Sequence, residues 1–391
     1  MRRNTFVSPR IPPAISPSDI EFWTEATHTA FRPFVRRRAV LTQHRHVFRV
    51  ELLNLLPILA DARLTEALLE SVRLCRRAIY SVPRESFAHQ IALFPETSQA
   101  DERWLSLVAS TIFLEPSADL ADRASQLMTV LDTMVEGCLR PRLAFLFGFA
   151  HFIRTGAFLA QKMDLGMYIA QWPDGLADEL RGLMNDPFFG LPISQWRNIA
   201  SHKNYRRVGH DLFEATYGKN QPKSIQFSFS QLESIVEWVL QLLAVCRMAQ
   251  VIIDIEFIRD LKRMGLQELP IRLDAFLIGV SHNLRMVGFS YVGEERNVAS
   301  YEVLYHDDLV RNPRDAMIHA SQILDQLSLA VSSDIGCGGS VQRVSIGLLS
   351  SGGVKFASAS VDVETALRFL DRDLTLEQYA NRVDFWFAPD E

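Results

Sequence analysis

Over the first two thirds of the chain, apolar residues recur at three- and four-residue intervals. From Ile20 to about Tyr80, Leu52, Leu53, Leu55, Leu56, Ile58 and Leu59 precede Leu64, Leu68, Leu69, Val72 and Leu74. This is the spacing of amphipathic helices. Pro83 and Pro95 predict a break over 81–102. A helix from Glu102 to Phe113 follows, ended by Pro116, and the next starts near Ser117 and runs through Leu127, Met128, Leu131, Met134 and Val135 towards Cys138. Pro141 interrupts it, and the pattern resumes as a strongly apolar helix from Leu143 to Met163, then a shorter one around Leu176 to Met184. Pro187 to Pro192 forms a turn, and Ser194 is the expected N-cap of a helix with Trp196, Ile199 and Ala200 facing inward. After a loop with Gly209, Gly218 and Pro222, the alternation of Ile225 to Phe229 predicts a short strand. Ser230 then caps a long helix from Gln231 to about Met264.

After Pro270 the pattern changes to short alternating or apolar runs: Phe276 to Val280, Met286 to Val292, Ser300 to Tyr305, Val341 to Leu349, Val354 to Ser360 and Val383 to Phe387. Between them lie a helix from Arg314 to Val331, opened by Pro313, and helical pieces at Val363 to Leu370 and Leu376 to Ala380. The expected fold class is mainly α: a flexible arm (1–20), a helical N-terminal region (21–100), a helical bundle (101–265) and a smaller α+β domain (270–391).

Composition narrows this little. With 391 residues, 48% of them hydrophobic, the chain can build real cores, and a net charge of −5 gives no global call to nucleic acid or membrane. Cys75, Cys138, Cys246 and Cys337 lie far apart with no Cys-x-x-Cys pair. That pattern predicts neither a disulfide framework nor a zinc site and fits a reducing cytoplasm. Met1-Arg2-Arg3-Asn4 leads into no apolar h-region, and the apolar run from Leu143 to Ile153 is too short to span a bilayer, so no membrane association is expected. One region departs from the average. Residues 196–223 carry Arg197, Lys203, Arg206, Arg207, Lys219 and Lys223 against Asp211 and Glu214, six minus two, a local +4. A basic island of this kind fits a phosphate-binding groove.

That island contains Trp196-Arg197-Asn198-Ile199-Ala200-Ser201-His202-Lys203-Asn204-Tyr205. Arginine holds a phosphate bidentately and stays charged. Histidine exchanges a proton near neutral pH. On a helix, Asn198 and His202 share a face, so the amide is expected to fix the imidazole. The spacing alone carries nothing, because Arg38 to His44, Arg84 to His89 and Arg314 to His319 repeat it. The segment Gln195 to His202, an arginine, a polar residue, a few small or apolar residues and a histidine, resembles the signature of the HEPN superfamily. Many members of that superfamily are metal-independent ribonucleases acting as toxins or antiphage effectors.

The resemblance spans roughly 105–260 and implies a bundle through which two chains pair. It assigns catalysis to Arg197, Asn198 and His202, with no metal or other cofactor. His202 would assist attack of a ribose 2′-hydroxyl on its own 3′ phosphate or protonate the leaving oxygen, Arg197 would stabilise the phosphoryl charge, and Asn198 would orient His202. Lys203, Arg206 and Arg207 would contact RNA backbone, and Tyr205 would stack on a base or pack in the core. A regulatory or neutralising protein is a further expected partner. The alternative is a non-catalytic HEPN dimerisation and RNA- or protein-binding scaffold with a C-terminal sensor domain, and a third reading is a nucleotide-sensing regulator.

Other patterns carry less. Arg314 to His319 sits among strand-like runs rather than in a bundle. Gly336-Cys337-Gly338-Gly339-Ser340 lacks the Lys-Ser/Thr of a phosphate-binding loop and reads as a turn. Gly339-Ser340 is followed by Asp362 and Glu364 only after more than twenty residues, too late for a nucleotidyltransferase acidic pair. His306-Asp307-Asp308 alternates across a strand and reads as a solvated end, and Cys246 reads as core.

Overall fold

The computed structural model describes residues 25–112, 119–159, 163–218, 221–266, 273–333, 340–371 and 373–388. The expected arm over 1–20, the boundary at Pro116 and Ser117, and the turn at Gly336 to Gly339 lie outside the described residues. The chain divides between Gln267 and Glu268 into two compact units.

The first unit is helical. Its elements are a helical stretch over 25–31, α1 (Arg38–Gln43), α2 (Arg45–Leu59), α3 (Ala62–Ser81), α4 (Pro83–Ile112) and α5 (Leu120–Asp132). A π-helical turn (Thr133–Leu139) leads into α6 (Arg140–Thr155), then α7 (Leu165–Ala170), α8 (Asp178–Gly182) and α9 (Ile193–Ser201). A three-stranded antiparallel sheet, β1 (Tyr205–Arg207), β2 (Leu212–Tyr217) and β3 (Lys223–Ser228), precedes α10 (Phe229–Glu256) and α11 (Ile258–Arg263).

The predicted break over 81–102 narrows to Val82, where α3 ends and α4 opens on Pro83. α4 continues past Pro95: the proline removes one intrahelical bond and crowds the carbonyl four residues before it, and burial of Phe87 and Ala100 on either side holds the helix on the core. Thr97 Oγ1 donates to the carbonyls of Leu93 and Phe94 beside the gap. Since α4 crosses residue 100, the two helical regions expected at 21–100 and 101–265 share one core, which runs from Phe31 to Leu261. α5 is capped by Asp119, whose carboxylate accepts from Ala121 N–H.

α10 is the centre of this core. It is apolar round most of its circumference, as a largely buried helix must be, with Glu233, Glu237 and Leu240 reaching solvent. It is long and apolar enough to cross a membrane by length and composition, but most of that apolar stretch is packed inside the unit. Its cap is Ser228, in a reciprocal capping box with Gln231, rather than Ser230. Two buried or half-buried arginines are paired within the core. Arg142 of α6 is buried and donates to Asp101 and to Gln250 Oε1, and Arg247 forks onto Glu51 and reaches Asp101.

The second unit comprises α12 (Leu273–Met286), β4 (Phe289–Arg296), β5 (Ser300–Asp307), α13 (Pro313–Ala320), α14 (Leu324–Ser333), β6 (Arg343–Leu349), β7 (Lys355–Asp362), α15 (Val363–Leu370), α16 (Leu376–Ala380) and β8 (Asp384–Phe387). The strand order is β4-β5-β6-β7-β8, with β5 and β6 parallel across the α13–α14 crossover and the other pairs antiparallel. Alternate residues Tyr301, Val303 and Tyr305, then Val344, Ile346 and Leu348, form a core with Met317, Leu324 and Leu327 of the crossover. The run Phe276 to Val280, read as a strand, lies within α12, because a short apolar run fits either period until its neighbours are known.

Candidate functional site

The motif helix α9 is short, and its approach is fixed by a buried carboxylate. Asp186 accepts hydrogen bonds from the backbone N–H groups of Phe188, Phe189 and Leu191 and from Trp196 Nε1. Four donors on one carboxylate freeze the 186–191 turn and tie it to the first turn of α9. Ile193, Trp196, Ile199 and Ala200 are buried at helical spacing, with the Trp196 ring edge-on to Phe227 at 5.6 Å. The N-cap position is Pro192, not the expected Ser194.

α9 ends at Ser201 with His202 as its C-cap. Lys203 then adopts φ +53°, Lys203 N–H donates to Ala200 O and Asn204 N–H to Ile199 O. These two bonds make a Schellman termination, with lysine in the left-handed position where glycine is usual. The chain leaves the helix there and enters β1. His202 therefore stands exposed on the last turn.

Arg197 is turned in the opposite sense, towards the π-helical turn. Its Nε lies 2.5 Å from Glu136 Oε1. The N–H does not point along this contact, so charge rather than an aligned hydrogen bond holds the pair. Glu136 Oε2 accepts from Arg140 Nη1 at 3.0 Å. The π turn supplies this geometry: its wider register re-aims Glu136, and Gly137 leaves room for Arg103, whose Cδ would stand 3.2 Å from an added Cβ.

Asn198 does not do what the sequence predicts. Its Oδ1 accepts from Arg197 Nη1 at 3.0 Å, and its only link to His202 is the backbone bond from His202 N–H to Asn198 O. The amide thus steadies the guanidinium, because the helix end swings the imidazole away from it. The group close to both halves of the motif is Asp132, at the end of α5. Burial pushes its carboxyl above the usual range, and Glu136 adds to this, while Arg197 and His202 pull the other way. Its Oδ1 is enclosed and has no hydrogen-bond partner.

The basic island is a β-hairpin, not the expected loop. Arg206 donates from Nε and Nη2 to Glu214, its cross-strand neighbour, and Arg207 donates to the carbonyls of Gly209 and His210 and to Asp119 Oδ1. Lys203 is exposed and has no side-chain partner among the described residues. Tyr205 is partly buried against the helical core. The structure thus brings Arg197, Asn198 and His202 to one helix end, beside Asp132 and Glu136, and puts Arg206 and Arg207 into ion pairs on the adjoining hairpin.

Sequence reasoning missed Asp132, Glu136 and Asp186. Asp132 and Glu136 stand four apart before a glycine, a pattern that marks a shared helix face but not its partner. The remaining candidates are occupied elsewhere: His306 Nδ1 contacts Leu349 O, Asp307 pairs with Arg311, and Asp308 accepts from Ser290. Arg314 and His319 lie on α13, on the sheet of the second unit. Among the described residues no group of three His, Cys, Asp or Glu side chains is placed to hold a metal.

No family model, no curated protein and no solved structure matches this chain.

Proposed function

We propose that the first unit is a metal-independent endoribonuclease of the HEPN kind. The observation that supports this most is the placement of Arg197 and the exposed His202 together at the end of α9, with Arg197 held by Glu136. A rigid cation and an exposed proton carrier at one helix end are what transfer of a phosphoryl group between ribose hydroxyls requires. Arg197 would bind a non-bridging phosphate oxygen through Nη2 while its Nε keeps the contact with Glu136. His202 would take the proton of the 2′-hydroxyl or return one to the 5′ oxygen as the P–O bond breaks, leaving a 2′,3′-cyclic phosphate and a 5′-hydroxyl. Lys203 is the cation best placed to follow the backbone, while Arg206 and Arg207 would first have to leave Glu214 and Asp119.

The reading extends to two chains pairing through the helical unit, to a role in defence or growth control, and to the second unit as sensor or partner site. Purified protein incubated with mixed RNA in EDTA tests it. Cleavage lost in both His202→Ala and Arg197→Ala supports the assignment, and cleavage surviving in both removes it. One observation favours a non-cleaving scaffold instead: Arg197 is already neutralised by Glu136. Binding of RNA without turnover, in the presence of any activator of growth arrest, would decide for that reading.

A further inference from the structure

Residues 26–50 hold six arginines and three histidines without one aspartate or glutamate, in a chain whose net charge is −5. That is a denser basic stretch than the motif island. Part of it is fastened to the core by a buried carboxylate. Glu256, in the last turn of α10, accepts from the backbone N–H of Arg36 at 3.1 Å and of Arg37 at 3.0 Å and pairs with Arg76, which also donates to Phe34 O. Phe31, Phe34, Val35 and Leu41 are buried around this anchor. The backbone of the basic stretch is therefore held in place.

The arginine side chains divide into two groups. Arg37 is spent inside the fold: it donates to Asp260 at 2.8 Å and lies over the Phe257 ring. Arg36 covers the ring of Tyr80. Arg32 and Arg38 have no side-chain hydrogen bond or ion pair among the described residues, nor does His28. These three converge, with Thr29, Leu41 and Thr42, on one cleft of about 400 Å³. The two guanidiniums facing this hollow repel each other, and none of the described residues that line it is acidic. An anion with several acceptor oxygens removes that repulsion and satisfies the guanidinium forks bidentately, with the Thr29 hydroxyl as a further donor.

We propose that this cleft is a phosphate-binding site, taking either the phosphodiesters of a nucleic-acid strand or the phosphates of a free nucleotide. It is separate from the motif. The hairpin beside the motif meets the first turn of α10 through Asp211 and Phe229, whereas Glu256 closes its last turn. At a rise of 1.5 Å per residue those ends stand about 40 Å apart. The proposal holds whether or not the motif cleaves RNA.

The test is fluorescence anisotropy on the full chain. The probe is a labelled 2′-O-methyl oligonucleotide, which carries the phosphodiesters but not the attacking hydroxyl, with ATP and inorganic phosphate as competitors. The Arg32→Gln/Arg38→Gln double variant is expected to bind the probe at least about tenfold more weakly, with a salt slope smaller by about two. An exposed arginine elsewhere on the unit, Arg73→Gln, should stay within about twofold. Displacement by ATP at low concentration identifies a nucleotide site, and its failure identifies a strand site. Should the glutamine variant lose its folded circular dichroism, Arg32→Lys/Arg38→Lys keeps the charge while removing the forks and is expected to weaken binding by a smaller factor. Equal affinity of the variants and wild type, or no binding by wild type of either the oligonucleotide or ATP at low salt, overturns the proposal.

Discussion

Glu136 Oε1 stands 2.5 Å from Arg197 Nε, while the other oxygen of the same carboxylate takes Arg140. A residue of the π turn after α5 therefore sets the direction of the arginine on α9. The pair is part-exposed on both sides, so its worth lies in aim rather than in stability.

Glu136→Gln is accordingly expected to lower kcat/KM for RNA cleavage by about 10- to 100-fold, the usual cost of a misplaced charge near a reacting centre. The urea midpoint should move by no more than about 1 kcal/mol. A wild-type cleavage rate in this variant would show that Glu136 does not position Arg197 during turnover.

Asn198 and His202 are expected to separate in steady-state kinetics. Asn198 Oδ1 steadies the Arg197 fork and does not touch the imidazole. Asn198→Ala should therefore raise KM by several-fold to about tenfold with kcat largely kept, the loss of one hydrogen bond to a charged group. His202→Ala should remove kcat. If Asn198→Ala also abolished kcat with KM unchanged, the amide would be acting on His202 after all.

Much of this architecture was legible in the sequence because it rests on periodicity. α10 and the alternation of β5, β6 and β7 follow from burial patterns, and the change of texture after Pro270 lies within three residues of the division at Gln267. The buried face of α9 was readable for the same reason. What was not readable depends on partners distant in sequence. Pro95 reads as a breaker until the packing of α4 is known, and Phe276 to Val280 has no period of its own. The end of α9 at Ser201 was hidden because Lys203, not a glycine, takes the left-handed position, and with it the bond of Asn198 to Arg197 rather than to His202. The ties from Arg206 to Glu214 and from Arg207 to Asp119 required the hairpin register and the cap of α5.

Asp186 is expected to be the most sensitive position outside the reacting groups. Its carboxylate, 3% exposed, satisfies four donors that have no other acceptor in the turn. Asp186→Ala leaves those donors buried and unpaired, which costs about 2–4 kcal/mol. Urea denaturation would read this as a lower midpoint with an unchanged slope. A shift below about 1 kcal/mol would mean that water replaces the carboxylate and that the turn does not set the approach to α9.

Asp254 gives the pH dependence. Burial pushes its carboxyl up to about 7, against the hydrogen bond from Gln250 and the attraction of Arg142, while the charge of Asp101 adds to the rise. Between its ordinary value of 3.8 and about 7 the folded chain holds a proton that the unfolded chain has released. The stability this group contributes is therefore complete below about pH 4 and is lost as pH climbs through 7. Asp254→Asn is neutral throughout and keeps an acceptor for Gln250, so it escapes that loss. Its advantage in thermal midpoint over wild type should be larger near pH 8 than near pH 5. The expected gain is about 1–2 kcal/mol, less than the full linkage because part of the side chain reaches solvent. A variant that is equally offset from wild type at both pH values would show that the Asp254 carboxyl is already ionised in the folded protein at pH 5.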